Sequence, residues 1–245
     1  MVDFKNEDAL HYVSNLKDKS IDLCLTDPPY AVSRATNFSS GEVTGKDTDR
    51  FRVNYEFGEW DEVDLDYFSK LFSAVYTKLR EGGTCIVFYD LWKIQELRGI
   101  LEEVGFKQFR FIEWVKTNPV PINSKINYLT NSREVAIVCV KGGKPTFNSS
   151  YDKGIYEYPI YQGKDRFHTT QKPIKLMEDL INKHSNRGDS VLDMFCGSAT
   201  TLVACINSNR QGYGCEKQED YYIKAKDRLG DYYDGESNNN VEGVG

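Results

Sequence analysis

Apolar and polar residues follow two periods along the chain, one typical of buried strands and one typical of amphipathic helices. Short apolar runs predict strands over 2–5, 21–26, 84–88, 108–116, 134–141, 190–195 and 211–215. One-sided helical spacing predicts helices over 9–16, 65–79, 94–104, 173–184, 202–208 and 221–229. This alternation indicates an α/β fold with a mostly parallel, doubly wound sheet. The strands 108–116 and 134–141 have no helix between them, which predicts one antiparallel hairpin strand.

Several stretches show neither period. Residues 31–59 are rich in Ser, Thr, Asn, Gly and charge, a composition typical either of a functional lid or binding loop or of disorder. Residues 118–132 are polar, and 142–167 combine basic and aromatic side chains without regular spacing. We therefore predict a single domain over 1–229 with these loops embedded in it. The acidic, Asn- and Gly-rich tail over 230–245 is predicted to be disordered.

Bulk composition narrows the class of protein. A chain of 245 residues with 40% hydrophobic content can build one large α/β core. No apolar run approaches the roughly 18 residues of a membrane span, and the polar start over 1–8 does not have the pattern of a secretory signal. The six cysteines lie mostly in apolar runs without Cys-x-x-Cys spacing. We expect buried free thiols, no metal site and a cytoplasmic location.

Charge is distributed unevenly along the chain. The net charge of −6 argues against a wholly basic nucleic-acid binder. Residues 104–177, however, contain twelve Lys and Arg against five Asp and Glu. A local basic face on an acidic protein is enough for phosphate contact, although a solvated surface has the same composition.

The tetrapeptide Asp27-Pro28-Pro29-Tyr30 follows directly on the predicted strand 21–26. Its prolines lack N–H donors and fix φ, so the chain has to leave the sheet there. In open α/β sheets, ligands bind at the carboxyl ends of the strands. The turn offers a carboxylate, a neighbouring carbonyl and an aromatic ring, a set that can hold a planar group bearing an NH2. A functionless Pro-Pro turn with an exposed tyrosine has the same local sequence.

A second turn, Cys196-Gly197-Ser198, lies between the strand 190–195 and the helix 202–208. Such a turn brings backbone N–H groups and a helix N-terminus close to a ligand carboxylate or phosphate. Glu216 ends the next strand, at the spacing at which an acid binds ribose hydroxyls. Gly197 has no glycine two or five positions further on, which favours a nucleoside ligand other than NAD or FAD. A tight turn beside a solvated glutamate is the structural alternative.

Together, these segments resemble the β group of amino-methylating DNA methyltransferases. In that family, Asp-Pro-Pro-Tyr is the catalytic motif and a D-x-F-x-G-S-G-T-T segment, here 193–201, binds S-adenosylmethionine. The catalytic motif comes first in this chain, and Thr170-Gln171-Lys172-Pro173 precedes the cofactor motif. This order is a circular permutation of the Rossmann-like methyltransferase fold. The segments 81–84 and 114–119 are also similar, so the resemblance covers 4–225.

The resemblance implies a role for each motif residue. The catalytic set would be Asp27, Pro28, Pro29 and Tyr30. Asp27 and the Pro28 carbonyl would accept hydrogen bonds from the target NH2, and Tyr30 would stack on a base flipped out of double-stranded DNA. The set that binds S-adenosylmethionine would be Asp8, Ala9, Asp27, Thr170, Gln171, Lys172, Pro173, Asp193, Phe195, Cys196, Gly197, Ser198 and Glu216. The loops 31–59, 118–132 and 142–167 are long, polar and near the basic stretch, and we predict from these features that they read the DNA sequence.

The resemblance favours adenine N6 as the methylated atom, because Ser-Pro-Pro-Tyr is more usual for cytosine N4. Two alternatives stay open: a cytosine-N4 methyltransferase, and a nucleic-acid-binding relative without catalysis. Ala199 stands where the family usually has glycine and Met194 where it often has proline. A methyl group at position 199 is tolerable if φ stays negative there. The resemblance also suggests two protein partners, a cognate restriction endonuclease and a second copy of the chain.

Overall fold

The computed structural model of the chain describes residues 1–29, 65–120, 129–163, 166–168 and 171–239. The predicted loop 31–59 and the end of the tail, 240–245, lie outside the described residues. So do Tyr30 and Thr170 of the predicted site.

Eight strands and six helices are described, and they alternate for most of the chain. The strands are β1 (Val2–Asn6), β2 (Ile21–Thr26), β3 (Leu79–Tyr89), β4 (Lys107–Lys116), β5 (Arg133–Val140), β6 (Ile155–Tyr158), β7 (Ser190–Asp193) and β8 (Gln211–Glu216). The helices are α1 (Ala9–Asn15), α2 (Leu65–Lys78), α3 (Ile94–Val104), α4 (Ile174–His184), α5 (Thr200–Asn207) and α6 (Glu219–Asn239).

The strands form one sheet in the order β1-β8-β7-β2-β3-β5-β4-β6. Neighbouring strands are parallel except for β5, which runs antiparallel to both β3 and β4. The predicted fold class, a mostly parallel α/β sheet with one antiparallel hairpin strand, is confirmed. Strand β2 lies near the middle of the sheet, between β7 and β3, so its carboxyl end is enclosed by neighbours on both sides.

Both faces of the sheet are covered by helices, because successive side chains of a strand point to opposite faces. In β3, Cys85 and Val87 pack with α1, α2 and α3, while Ile86 and Phe88 pack with α4 on the other face. Helix ends follow local rules: the carboxylate of Asp8 accepts a hydrogen bond from the Leu10 N–H at the start of α1 (3.0 Å). Helix α3 ends at Gly105, whose φ of 114° lies in the left-handed region that favours glycine.

Three elements differ from the sequence prediction. Strand β3 begins at Leu79 and not at the predicted Thr84, so Leu79, the last residue of the predicted helix, and the residues 80–83 after it lie inside the strand. Strand β6 was not predicted, because 142–167 has no local period; β6 pairs with β4, and the Trp114 indole N–H donates to the Tyr158 carbonyl (2.9 Å). Helix α6 extends to Asn239 and is therefore longer than the predicted helix 221–229.

All six cysteines are free and buried. No helix in the described part of the chain has the length and apolar composition needed to cross a membrane. Within the same residues, no group of three or more His, Cys, Asp and Glu side chains is arranged to hold a metal ion.

Candidate active site

The sheet brings the two predicted turns together at its carboxyl edge. Strands β2 and β7 are parallel neighbours, with Cys24 opposite Leu192. The Thr26 hydroxyl at the end of β2 donates to Oδ1 of Asp193 at the end of β7 (2.8 Å), and both side chains are buried. The residues that follow, Asp27 and the turn after Asp193, therefore leave the sheet side by side. Adjacent strand ends of this kind form the ligand crevice of open α/β sheets.

Asp27 belongs to a chain of alternating charges. The ammonium group of Lys172 contacts Oδ2 of Asp27 and lies 3.0 Å from Oε2 of Glu134. The other oxygen of Glu134, Oε1, lies 2.8 Å from the ammonium group of Lys116. Lys172 is only 4% exposed and also lies over the ring of Phe88, 5.0 Å from its centroid. The charges balance along the chain, which is the condition under which buried ions are tolerated.

The second oxygen of Asp27, Oδ1, is buried and has no hydrogen-bond partner among the described residues. A buried polar atom without a partner is uncommon and costs about 1–3 kcal/mol. An ionised carboxylate accepts hydrogen bonds and donates none, so this atom is suited to a ligand that brings an N–H or O–H group. Burial raises the pKa of Asp27, the ammonium group of Lys172 counteracts that rise, and the charge of Glu134 adds to it. Lys172 and Lys116 outweigh burial at Glu134 and hold its pKa below the usual value.

The turn after β7 is built from buried polar groups. Asp193 accepts a hydrogen bond from the Phe195 N–H (3.1 Å) in addition to that from Thr26, and burial raises its pKa to about 6. The Cys196 thiol donates to the Asp193 carbonyl (3.2 Å). Ser198 shares a hydrogen bond with the Thr200 hydroxyl (3.0 Å). These bonds fix the turn and leave its backbone close to the crevice.

Glu216 closes this turn from the neighbouring strand β8. Its Oε2 accepts a hydrogen bond from the Gly197 N–H (2.9 Å) and its Oε1 accepts one from the Gln218 N–H (2.8 Å). Burial raises the pKa of the Glu216 carboxyl. Each carboxylate oxygen has a second lone pair, so Glu216 can still accept hydrogen bonds from a ligand.

The first turn of α1 reaches the same corner of the sheet. Strands β1 and β8 are parallel, with Asn6 opposite Glu216. The carboxylate of Asp8 accepts a hydrogen bond from the Tyr67 hydroxyl (3.3 Å) and lies 3.4 Å from the ammonium group of Lys217. Asp8 and Ala9 are therefore brought close to Glu216.

The predicted segment 170–173 is described from Gln171 onward. Gln171 is 3% exposed, and within the described part of the chain neither its Nε2 nor its Oε1 has a hydrogen-bond partner. The buried side-chain amide of Gln171 is therefore a second group that can form hydrogen bonds with a ligand. Lys172 lies at Asp27 and Glu134, and Pro173 is the N-cap residue of α4.

Ala199 adopts a conformation that the sequence does not reveal. The condition under which a methyl group is readily tolerated here, a negative φ, is not met: φ is +57° and ψ is 28°, in the left-handed region. Ala199 is the N-cap residue of α5 and is fully buried. A β-carbon in this region costs about 1–2 kcal/mol, which explains why a glycine suits the position.

Replacing Ala199 by glycine is expected to raise the free energy of unfolding by about 0.5–1 kcal/mol, because relief of the left-handed strain exceeds the added freedom of the unfolded chain. Urea unfolding would measure the change. Ala204→Gly is the matched control: it makes the same change inside α5, where glycine is expected to destabilise by about 1 kcal/mol. Equal destabilisation by both substitutions would contradict the strain at Ala199.

Sequence reasoning missed three contributors to the site. Glu134 and Lys116 complete the charge chain, and the only signal for Glu134 is a charged residue at the start of an apolar strand. His168 lies against Gly197: a β-carbon on residue 197 would be only 3.2 Å from Nε2 of His168. Burial lowers the pKa of His168 to about 4, so its imidazole is neutral at neutral pH.

Comparison with known proteins places this arrangement among DNA methylases. The family model described as DNA methylase matches residues 21–227. The Type II methyltransferase M2.DpnII of Streptococcus pneumoniae is 28% identical over 244 residues, covering 91% of this chain and 88% of that protein. M2.MboI of Moraxella bovis is 29% identical over 242 residues, covering 90% of this chain and 84% of that protein.

Two solved structures show the same architecture. The crystal structure of the M1.HpyAVI-SAM complex has a TM-score of 0.69 at 29% identity, covering 94% of this chain and 99% of that one. The cytosine-N4-specific PvuII DNA methyltransferase has a TM-score of 0.70 at 18% identity, covering 95% of this chain and 91% of that one. At this lower identity, the likeness to PvuII is one of fold alone.

Proposed function

This chain belongs to the DNA methylase family, whose methyl donor is S-adenosylmethionine, and from that premise we propose that it methylates the exocyclic N6 of adenine in DNA. The observation that carries the proposal is the buried, unpartnered Oδ1 of Asp27 at the carboxyl end of β2. An amino group is the donor that such an acceptor lacks. The target base has to leave the duplex to reach this position.

In the proposed mechanism, the first turn holds the amine. Oδ1 of Asp27 and the carbonyl of Pro28 accept its two N–H groups, so the nitrogen lone pair stays available for bond formation. Lys172 holds the other oxygen of Asp27 and fixes the direction in which Oδ1 points. Pro29 keeps the turn out of the sheet, and Tyr30 stacks on the base. Positioning of this kind dominates when the methyl donor is already activated, and Asp27 is placed to take the proton that the nitrogen loses.

The second turn is proposed to hold the cofactor, which when bound supplies a methyl group activated on a sulfonium. The fit is supported by the free amide of Gln171, by the tight turn at Gly197 (φ +50°) and by the buried carboxylate of Asp193. Asp193 and the backbone of 195–198 would hold the methionine end, with 170–173 closing over it. Glu216 would hold the ribose, and Asp8 with Ala9 the adenine.

Cofactor binding is expected to weaken in acid. The carboxyl of Asp193 attracts a cationic group of the cofactor only when it is ionised. Its pKa of about 6 in the free protein means that it takes up a proton below that pH. Affinity should therefore fall about tenfold per pH unit below pH 6 and level off above it. Calorimetric titration between pH 5 and 8 measures this, and Asp193→Asn should bind weakly without the dependence. An affinity for wild type that is constant over this range would contradict the role of Asp193.

DNA contact is proposed for 31–59, 118–132 and 142–167, of which the last two lie within the basic stretch 104–177. A single catalytic domain would then contain both chemistry and sequence recognition. A cognate restriction endonuclease and a second copy of the chain are the proposed protein partners. Exchanging these loops with those of a relative should change the methylated sequence, and an unchanged sequence would exclude them as the readers.

Product analysis tests the proposed reaction. Unmethylated bacterial DNA is incubated with the protein and S-adenosylmethionine, digested to nucleosides and analysed by mass spectrometry. N6-methyladenine is the expected product. N4-methylcytosine would support the role of Asp27 as acceptor but refute adenine as the target base. Cytosine N4 is the second candidate because the family includes enzymes for both amino groups. Cofactor binding without any methylated nucleoside would instead indicate a binding protein that has lost catalysis.

A further inference from the structure

The turn that follows β3 presents two large apolar side chains to solvent. Trp92 is 80% exposed and Leu91 is 52% exposed. The turn is nevertheless well defined: the Asp90 carboxylate accepts a hydrogen bond from the Trp92 N–H (2.7 Å) and the Asp90 carbonyl accepts one from the Lys93 N–H (3.1 Å). Helix α3 begins immediately afterwards, at Ile94. Leu91 and Trp92 thus lie in a hydrogen-bonded turn, and because they are largely exposed, they contribute little to the stability of the fold.

This turn lies beside the candidate catalytic turn. Strands β2 and β3 are parallel, with Thr26 opposite Val87. The next residues of β2 therefore run beside Phe88 and Tyr89, and both chains leave the sheet at the same edge. Lys172, which pairs with Asp27, lies over the ring of Phe88 and connects the two strand ends directly.

We propose that Leu91 and Trp92 are a wedge that enters the DNA base stack and occupies the space left by the flipped target base. The inference rests on the proposed function and adds to it the residues that contact the interior of the duplex. Apolar side chains that insert between base steps are a recurrent device of DNA-binding proteins. An aromatic ring stacks on any base, so such a wedge needs no particular sequence.

The rigidity of the turn supports this assignment. A flexible loop would lose conformational freedom on inserting its tip into DNA, whereas a hydrogen-bonded turn has already lost most of it. Trp92 has little of its surface inside the protein, so its removal is expected to leave the fold intact and to act on DNA alone.

The wedge is tested by comparing two DNA duplexes that carry the methylated sequence, which is first mapped by sequencing bacterial DNA treated with the enzyme. In one duplex the target base is paired; in the other it faces an abasic site, so that little energy is needed to extrude it. Trp92→Ala is expected to lower kcat/KM on the paired duplex by about 10- to 100-fold and to leave the second duplex within about threefold of wild type. Trp92→Phe should retain most activity on both. Ile223→Ala, an exposed apolar residue of α6, is the matched control and should change neither.

Each outcome has one meaning. An equal loss on both duplexes would overturn the wedge and assign Trp92 to the catalytic pocket. Unchanged activity on both would also overturn it, and would leave the turn as a contact for another protein. If wild type methylates neither duplex, the proposed function itself is refuted. If wild type is active and Trp92→Ala behaves in either of the two ways above, only the wedge is refuted.

Discussion

Replacing Asp27 by alanine is expected to lower the rate of methyl transfer by about 10²- to 10⁴-fold while the protein stays folded. The substitution removes a buried acceptor that has no partner among the described residues, and with it the group that orients the amine. The fold tolerates the change because Lys172 keeps Glu134 as a counter-charge, 3.0 Å away. Single-turnover transfer of a labelled methyl group to DNA measures the effect, and calorimetric titration shows whether S-adenosylmethionine still binds.

The matched control for this prediction is Asp18→Ala. Asp18 lies just before the opposite end of the same strand and pairs with Lys78 (2.7 Å), so its loss changes charge without touching the site. Asp18→Ala should transfer methyl groups like wild type. An Asp27→Ala enzyme that retains more than a tenth of the wild-type rate would show that the amine is held by other residues.

Replacing Lys172 by methionine is expected to have the largest effect on stability together with a large effect on rate. The change leaves the carboxylates of Asp27 and Glu134 near each other without the cation between them, and breaking a buried pair in this way costs about 3–5 kcal/mol. The loss should be greatest at pH 8 and smaller at pH 5, because an unpaired carboxyl can take up a proton in acid. Urea unfolding at the two pH values measures this, with the exposed Lys175→Met as control.

The same network predicts opposite shifts in the pH dependence of the rate. Asp27 accepts hydrogen bonds from the amine when it is ionised, so the rate falls as pH decreases through its pKa. Lys172 lowers that pKa, so Lys172→Met should move the acid limb to higher pH. The charge of Glu134 raises it, so Glu134→Gln should move the limb to lower pH. Shifts of the same sign in both variants would contradict the charge chain.

Local sequence was sufficient to locate both turns of the site. Two prolines after an apolar run force the chain out of the sheet at Asp27, and a glycine turn between a strand and a helix places Asp193 at the next strand end. The order of these segments also predicted the fold class correctly. These features depend on neighbouring residues along the chain, which is why the sequence alone reveals them.

Features that depend on distant contacts were not predictable. Strand β6 exists because β4 offers it a pairing edge, and residues 155–158 have too short a pattern to indicate a strand. Glu134 becomes part of the site only because β5 runs antiparallel beside β3 and brings its first residues to the carboxyl edge. The left-handed φ of Ala199 is imposed by the turn that joins β7 to α5, against the preference of the residue itself.

The central claim is that Oδ1 of Asp27 accepts a hydrogen bond from the amino group of the target base. The most direct test is a structure of the protein with S-adenosylhomocysteine and a DNA duplex that contains the methylated sequence. We predict a flipped adenine whose N6 lies about 2.7–3.2 Å from Oδ1, with Lys172 still contacting Oδ2. A target base bound elsewhere, or an Oδ1 that remains without a partner beside a bound base, would contradict the account.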